Sequence, residues 1–253
     1  HASIIDGALL SGARLLRFYH NDINHLELLL RKERNRFREG LIITETIFSM
    51  DSDKCPLKGL VSLKEKYNCE IMVDEAHATG IFGTNGSGMV EECGLWEQVD
   101  FIMGTFSKAL GSFGAYLAAS RKTVLYLINT CRSFIYSTAL PPGVISADLE
   151  SIALIEDEPG RRERLLESAG YFRDALKSSG FDVRGDSQIV PVIIGDNLRA
   201  VEFAACLREK GYWVLPIRPP TVALGQERLR FSLTCYHTKE ILQKLIDDIR
   251  GIK

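Results

Sequence analysis

Glycine is nowhere followed by lysine in this chain. The loop GxxxxGK[ST], whose backbone N–H groups and lysine hold nucleotide phosphates, is therefore missing. The six cysteines (Cys55, Cys69, Cys93, Cys131, Cys206 and Cys235) form no CxxC pair and no clustered framework, which argues against zinc and redox spacings and points to free thiols in a reducing compartment. No apolar run approaches the roughly 18 residues of a membrane helix, and no signal peptide precedes the first element. There is no basic excess either: Lys+Arg 31 against Asp+Glu 33 gives a net charge of -2. Nucleic-acid binders usually carry a basic stripe. The densest basic run here, "RKERNRFRE" from Arg31 to Glu39, contains two glutamates and reads as the solvated end of a helix. The expectation is a cytoplasmic protein with neither nucleic acid nor membrane as partner. His20, His25 and His237 form no metal-ligand grouping, so no metal is expected. The chain opens at His1, without methionine and inside what reads as a structured segment, so a piece of a longer protein is expected.

What is present is ordinary globular composition: 253 residues, 45% hydrophobic and 25% charged. That is room for one large α/β domain, or a domain and a half. Up to about residue 140 short apolar strands alternate with helical patterns. "GLIITETIF" (Gly40–Phe48), "EIMVD" ending in Asp74, "VDFIMGT" ending in Thr105, and "GAYLAAS" (Gly114–Ser120) read as strands of a mainly parallel sheet. A helix over Pro56–Tyr67 is expected, with Pro56 in its first turn and Leu57, Leu60, Val61 and Leu63 on its apolar side. From Pro141 the pattern becomes long helix with charged interruptions. "QIVPVIIGD", a helix over Leu198–Lys210 closed by Gly211, "YWVLPI", "RLRFSLT" and a final helix bearing Ile241, Leu245, Ile246 and Ile249 follow. The organisation expected is a large domain over 1–145, incomplete at its N-terminus, then a linking helix and a smaller C-terminal α/β domain over 146–253.

Ligands of parallel sheets sit at the carboxyl ends of strands, where Asp74 and Thr105 lie. "IMVDEAHATG" (Ile71–Gly80) contains the Asp-Glu-Ala-His tetrapeptide of one helicase group, but such an ATPase needs the missing phosphate loop. Downstream, "GTFSKALGSFG" (Gly104–Gly114) sets Lys108 beside Ser107, between a strand end and a glycine-rich turn. A lysine so placed suits a Schiff base. Pyridoxal-phosphate chemistry needs such a lysine and an acidic partner for the pyridine nitrogen. Asp74 suits that partner, because an ionised carboxylate favours the protonated ring. His77 could bond the phenolic oxygen, and Thr105 and Ser107 offer hydroxyls for a phosphate.

"VDEAHATGIFG" followed by "GTFSKALGSFGAY" resembles the α-oxoamine synthase family of fold-type I pyridoxal-phosphate enzymes. The resemblance covers nearly the whole chain, through "HASIIDGALLSGA", "HND", "TETIFSMD", "YSTALPP" and "IRPPTVALGQERLRFSLT". It implies condensation of an amino acid with an acyl-coenzyme A thioester and release of carbon dioxide. Carried over by motif, Lys108 resembles the Schiff-base lysine and acid/base, Asp74 the pyridinium partner, and His77 the phenolic-oxygen partner. His1 matches the histidine that stacks on the ring, Ser49 and Glu45 match residues near the cofactor, and Thr105 resembles a phosphate ligand. Ser137 and Thr138 resemble residues reaching the phosphate of a neighbouring subunit, which implies a homodimer with shared active sites. Arg230 resembles the arginine that binds the amino-acid carboxylate, with Arg218 a second candidate.

Within the family, "IRPPTV", "GDN" (Gly195–Asn197) and "RLRFSLT" are most like the biotin-synthesis branch, which joins L-alanine to pimeloyl-coenzyme A. The competing readings are glycine with acetyl-coenzyme A, serine with a long acyl chain, and a catalytically silent subunit; the last should lack the lysine that is present. Family members carry a segment before "HAS" that helps bind the cofactor phosphate. Its absence here implies weak cofactor binding and poor turnover by this chain alone.

Overall fold

Two helices come first in the computed structural model, which describes residues 1–252. They are α1 (Ala2–Leu10), capped by His1, and α2 (Ile23–Glu33). Asp22 caps α2, accepting the His25 backbone N–H at 2.8 Å. Next come β1 (Leu41–Glu45), α3 (Leu57–Lys66), β2 (Glu70–Asp74), α4 (Met89–Cys93), β3 (Phe101–Thr105), β4 (Ala115–Ala119), α5 (Arg121–Thr130), α6 (Arg132–Ile135) and α7 (Pro142–Asp157). The sheet runs β1-β2-β3-β4, with the first three strands parallel and β4 antiparallel to β3. Ile71 and Val73 of β2 are fully buried, and α3 sinks Leu57, Leu60, Val61 and Leu63 as the sequence pattern predicts. Glu45 is in register with Asp74, and Asp74 with Met103. Parallel pairing thus brings Glu45, Asp74 and Thr105 to one rim of the sheet.

The rest of the chain supplies α8 (Gly160–Ser178), β5 (Asp182–Val183), β6 (Ile189–Ile193), α9 (Asn197–Glu209), β7 (Leu215–Ile217), β8 (Arg228–Ser232) and α10 (Lys239–Ile252). Its sheet is antiparallel, in the order β5-β6-β8-β7. Phe172 of α8, fully buried, meets Phe231 of β8 edge to face at 5.2 Å.

The chain divides into two compact units: His1–Thr46 with Cys55–Asp157, and Ile47–Lys54 with Glu158–Lys253. The division falls at 157/158, where the sequence reading places it at 145/146, because α7 clusters with the first unit. The segment Ile47–Lys54 joins the second unit through buried Ser52, held at φ +63°. Its hydroxyl lies 2.6 Å from the Ser187 hydroxyl and donates to the Ile189 carbonyl at 2.6 Å. Gly185 makes room for it: a Cβ there would lie 2.3 Å from the Ser52 Cβ.

Three local expectations need correction. The strand read over Gly40–Phe48 ends at Glu45, after which Ile47 pairs with Lys54 alone. Pro56 precedes the first helical turn of α3 and caps it. In α10 the buried stripe is Leu242, Leu245, Ile246 and Ile249, while Ile241 is 45% exposed. Those four follow i, i+3, i+4, i+7 spacing, and Ile241 falls one position off that face. The α/β class with a mainly parallel sheet in the first unit is as expected. No helix among the described residues is long and apolar enough to cross a membrane, and no group of three or more metal-ligating side chains occurs among them.

Candidate active site

Asp74 ends β2 with 5% of its surface exposed. Its Oδ1 accepts the Ala76 backbone N–H at 2.8 Å. Burial pushes its carboxyl above the ordinary range; the Ala76 hydrogen bond opposes this, the Glu45 charge adds to it, and the Lys108 charge opposes it. Glu45, on the neighbouring strand, lies against the backbone nitrogen of His1. The exposed His1 ring turns Nδ1 toward the Ser3 hydroxyl at 2.8 Å and accepts the Ser3 N–H at 3.3 Å. His1, Glu45 and Asp74 are thus brought together.

Lys108 is exposed on a tight turn beyond β3. The turn is closed by Phe106 N–H to the Gly114 carbonyl (3.0 Å), Ser112 N–H to the Phe106 carbonyl (2.8 Å), and Gly111 N–H to the Lys108 carbonyl (3.1 Å). The loop after Asp74 folds against this turn at Gly80, whose φ of +82° suits glycine. A Cβ at Gly80 would lie 2.9 Å from the Ala109 Cβ. The two motifs therefore meet in space, with His77, half-buried, on the loop between Asp74 and Gly80. Thr105 Oγ1 is buried and has no hydrogen-bond partner among the described residues.

Sequence reasoning overlooked two supports of this rim. Glu75, read as a spacer in Asp-Glu-Ala-His, is fully buried and hydrogen-bonded. Tyr116 of β4 lies over Gly104, where a Cβ would come within 2.3 Å of its ring, and its hydroxyl is 3.0 Å from the Thr79 hydroxyl. No local sequence signal marks Tyr116, because the contact depends on the antiparallel register Gly104↔Tyr116.

Ser137 and Thr138 are exposed in the segment after α6, and the Ser137 hydroxyl donates to the Ser133 carbonyl. In the second unit, Arg230 Nε donates to the Ser49 carbonyl at 2.7 Å and Nη1 to the Ser232 hydroxyl at 3.0 Å. Burial alone lowers its proton affinity. Both of these acceptors are neutral, whereas Arg228, two residues earlier, pairs with Asp51 at 2.7 Å. Arg218 is exposed, and its guanidinium lies 3.5 Å from the Asn197 side-chain oxygen.

A family model described as aminotransferase class I and II matches residues 1–249. The chain belongs to that family. It is 47% identical over 252 residues to a Bacillus cereus (strain ATCC 10987 / NRS 248) protein named "Putative 8-amino-7-oxononanoate synthase", covering 98% of this chain and 63% of that one. A solved structure of SPT with the PLP internal aldimine superposes with a TM-score of 0.93 at 33% identity, covering all of this chain and 64% of that one. The 8-amino-7-oxononanoate synthase of Francisella tularensis superposes with a TM-score of 0.84 at 28% identity, covering 99% of this chain and 72% of that one. The motif resemblance to α-oxoamine synthases and the fold-type I architecture are borne out. This aminotransferase-family chain spans 63% of the length of the curated relative and carries a corresponding part of the fold.

Proposed function

We propose that this chain is the bulk of a cytoplasmic, homodimeric enzyme that uses pyridoxal phosphate to condense L-alanine with pimeloyl-coenzyme A. The products are 8-amino-7-oxononanoate, coenzyme A and carbon dioxide. The observation that carries the reading is the meeting of buried Asp74 with the Lys108 turn at one rim of a parallel sheet, through the close approach of Gly80 to Ala109.

The residues fit the cofactor. The buried Thr105 hydroxyl, without a partner among the described residues, suits a phosphate oxygen. The Asp74 carboxyl, pushed up by burial, stays ionised best beside a cation, which a protonated ring nitrogen provides. When bound, pyridoxal phosphate supplies an electron-withdrawing ring conjugated to the reacting amino acid.

The chain's own residues do the rest. Asp74 would hold a proton at the ring nitrogen, His77 would bond the phenolic oxygen, and His1 would cover the ring face. Glu45 and Ser49 would line the cofactor, and Ser137 and Thr138 would reach the phosphate in the neighbouring subunit. Lys108 Nζ removes the proton from the alanine α carbon and later returns one. Arg230, a half-buried fork without a carboxylate partner among the described residues, binds the alanine carboxylate, with Arg218 as an outer cation.

The choice of substrates is supported by the Bacillus cereus relative and by "IRPPTV" and its companion stretches. A second reading, serine with a long-chain acyl-coenzyme A, is favoured by the 0.93 superposition on SPT, a serine palmitoyltransferase. A visible absorption spectrum with added pyridoxal phosphate, then L-alanine, tests the chemistry. The parent should develop a yellow band that alanine alters, and Lys108→Ala should never form it; a parent without the band defeats the proposal. Coenzyme A release across amino-acid and acyl-donor pairs tests the substrates. Faster release with serine and a long-chain donor selects the second reading.

A further inference from the structure

Glu75 has no part in the chemistry above, yet its carboxylate is fully buried and takes three donors. Oε1 accepts the Val90 N–H at 2.8 Å. Oε2 accepts the Met89 N–H at 3.0 Å and the Thr46 hydroxyl at 2.8 Å. Gly88, at φ +129°, leaves space for it: a Cβ there would lie 2.6 Å from Oε2. Burying a carboxylate is costly unless every oxygen is satisfied, as here.

The main chain beside it is held as firmly. Glu75 N–H donates to the Met103 carbonyl at 2.7 Å, and its carbonyl accepts the Thr79 N–H at 2.8 Å and hydroxyl at 3.1 Å. The Thr79 hydroxyl also meets Tyr116. Thr46 ties the group to its neighbour, since its N–H donates to the Asp74 carbonyl at 3.0 Å. The peptide joining Asp74 to Glu75 is therefore pinned by the residue after β1 and by the middle of β3, and the Glu75 side chain by the start of α4. Both polar groups of that peptide are taken, the Asp74 carbonyl by Thr46 and the Glu75 N–H by Met103, so the grip on Glu75 fixes the direction of Asp74.

We propose that Glu75 is a positioning residue for Asp74: by holding the Thr46 hydroxyl and the Met89 and Val90 N–H groups, it aims the Asp74 carboxylate at the cofactor nitrogen. This rests on the pyridoxal-phosphate reading above. The test is Glu75→Gln in the full chain, which puts an amide donor where only acceptors fit.

Two readouts need no cofactor: hydrogen exchange at the Ala76 amide, which donates to Asp74 Oδ1, and the carbon-13 titration of the Asp74 carboxyl, which Glu45 and Lys108 also face. A third is the Kd for pyridoxal phosphate from visible absorbance. In Glu75→Gln the Ala76 amide should exchange about tenfold faster and the Kd rise about tenfold, the loss of roughly one hydrogen bond's worth of orientation, with a displaced Asp74 titration. Thr46→Ser should match the parent, and Thr46→Val should move all three readouts in the same direction by less.

Unchanged Ala76 exchange and Asp74 titration in Glu75→Gln overturn the inference. Where Glu75→Gln does not fold, the same result in Thr46→Val overturns it. A parent that binds no pyridoxal phosphate sinks the proposed function instead, and the two cofactor-free readouts still decide the role of Glu75.

Discussion

Glu45 and Asp74 end adjacent parallel strands in register, so two carboxylates share one rim of the sheet. The arrangement works against ionisation of Asp74. Burial raises its proton affinity first, and Glu45 raises it further.

A raised carboxyl pKa in the folded state has a definite sign. Protonated Asp74 favours the fold fully below the unfolded carboxylate pKa of roughly 3.9, and that contribution is lost as pH rises through the folded value. Without cofactor, Asp74→Asn should therefore be more stable than the parent at neutral pH, with the gap closing as pH falls into the acid range. Denaturant melts across that range check this. An Asp74→Asn protein less stable than the parent at neutral pH would contradict it.

Gly80 is where the Asp74 loop meets the Lys108 turn. Gly80→Ala combines a left-handed backbone with a Cβ 2.9 Å from Ala109, and should cost about 1–3 kcal/mol beyond the backbone strain. Gly94→Ala isolates the strain alone, since Gly94 has φ +67° and open space around it. Thermal melts of the two should differ by that margin, and only Gly80→Ala should weaken pyridoxal-phosphate binding.

Arg230 and Arg218 can be told apart by kinetics in the complete enzyme. A hydrogen-bonded charge pair is worth roughly 1.5–3 kcal/mol, so Arg230→Gln should raise KM for alanine roughly 10- to 150-fold. Arg218→Gln, removing an exposed side chain with one 3.5 Å contact, should change it by less than about threefold. Equal effects would remove Arg230 from the carboxylate site.

The parts of this arrangement legible in the sequence are those with local causes. Asp74 and Thr105 sit where apolar runs stop, and the glycines around Lys108 announce a turn. Glu75 was not legible, because its burial depends on Thr46, 29 residues earlier, and on space left by Gly88. The substitution of Leu242 for Ile241 on the buried face of α10 has a similar origin. Both are apolar, and packing alone selects the face. The end of β1 at Glu45 also reflects a long-range claim, since from Ile47 the chain is taken by the second unit.

That claim shapes how the chain must be handled. Residues 47–54 are lent to the second unit before α3 begins, and Ser52 finds Ser187 and Ile189 across gaps of 135 and 137 positions. During synthesis this octapeptide must wait, exposed, until its hosts emerge, and closing so wide a loop is slow. Scission at 157/158 would not release two self-sufficient modules: one piece would keep a stray plug, and the other would have an open socket.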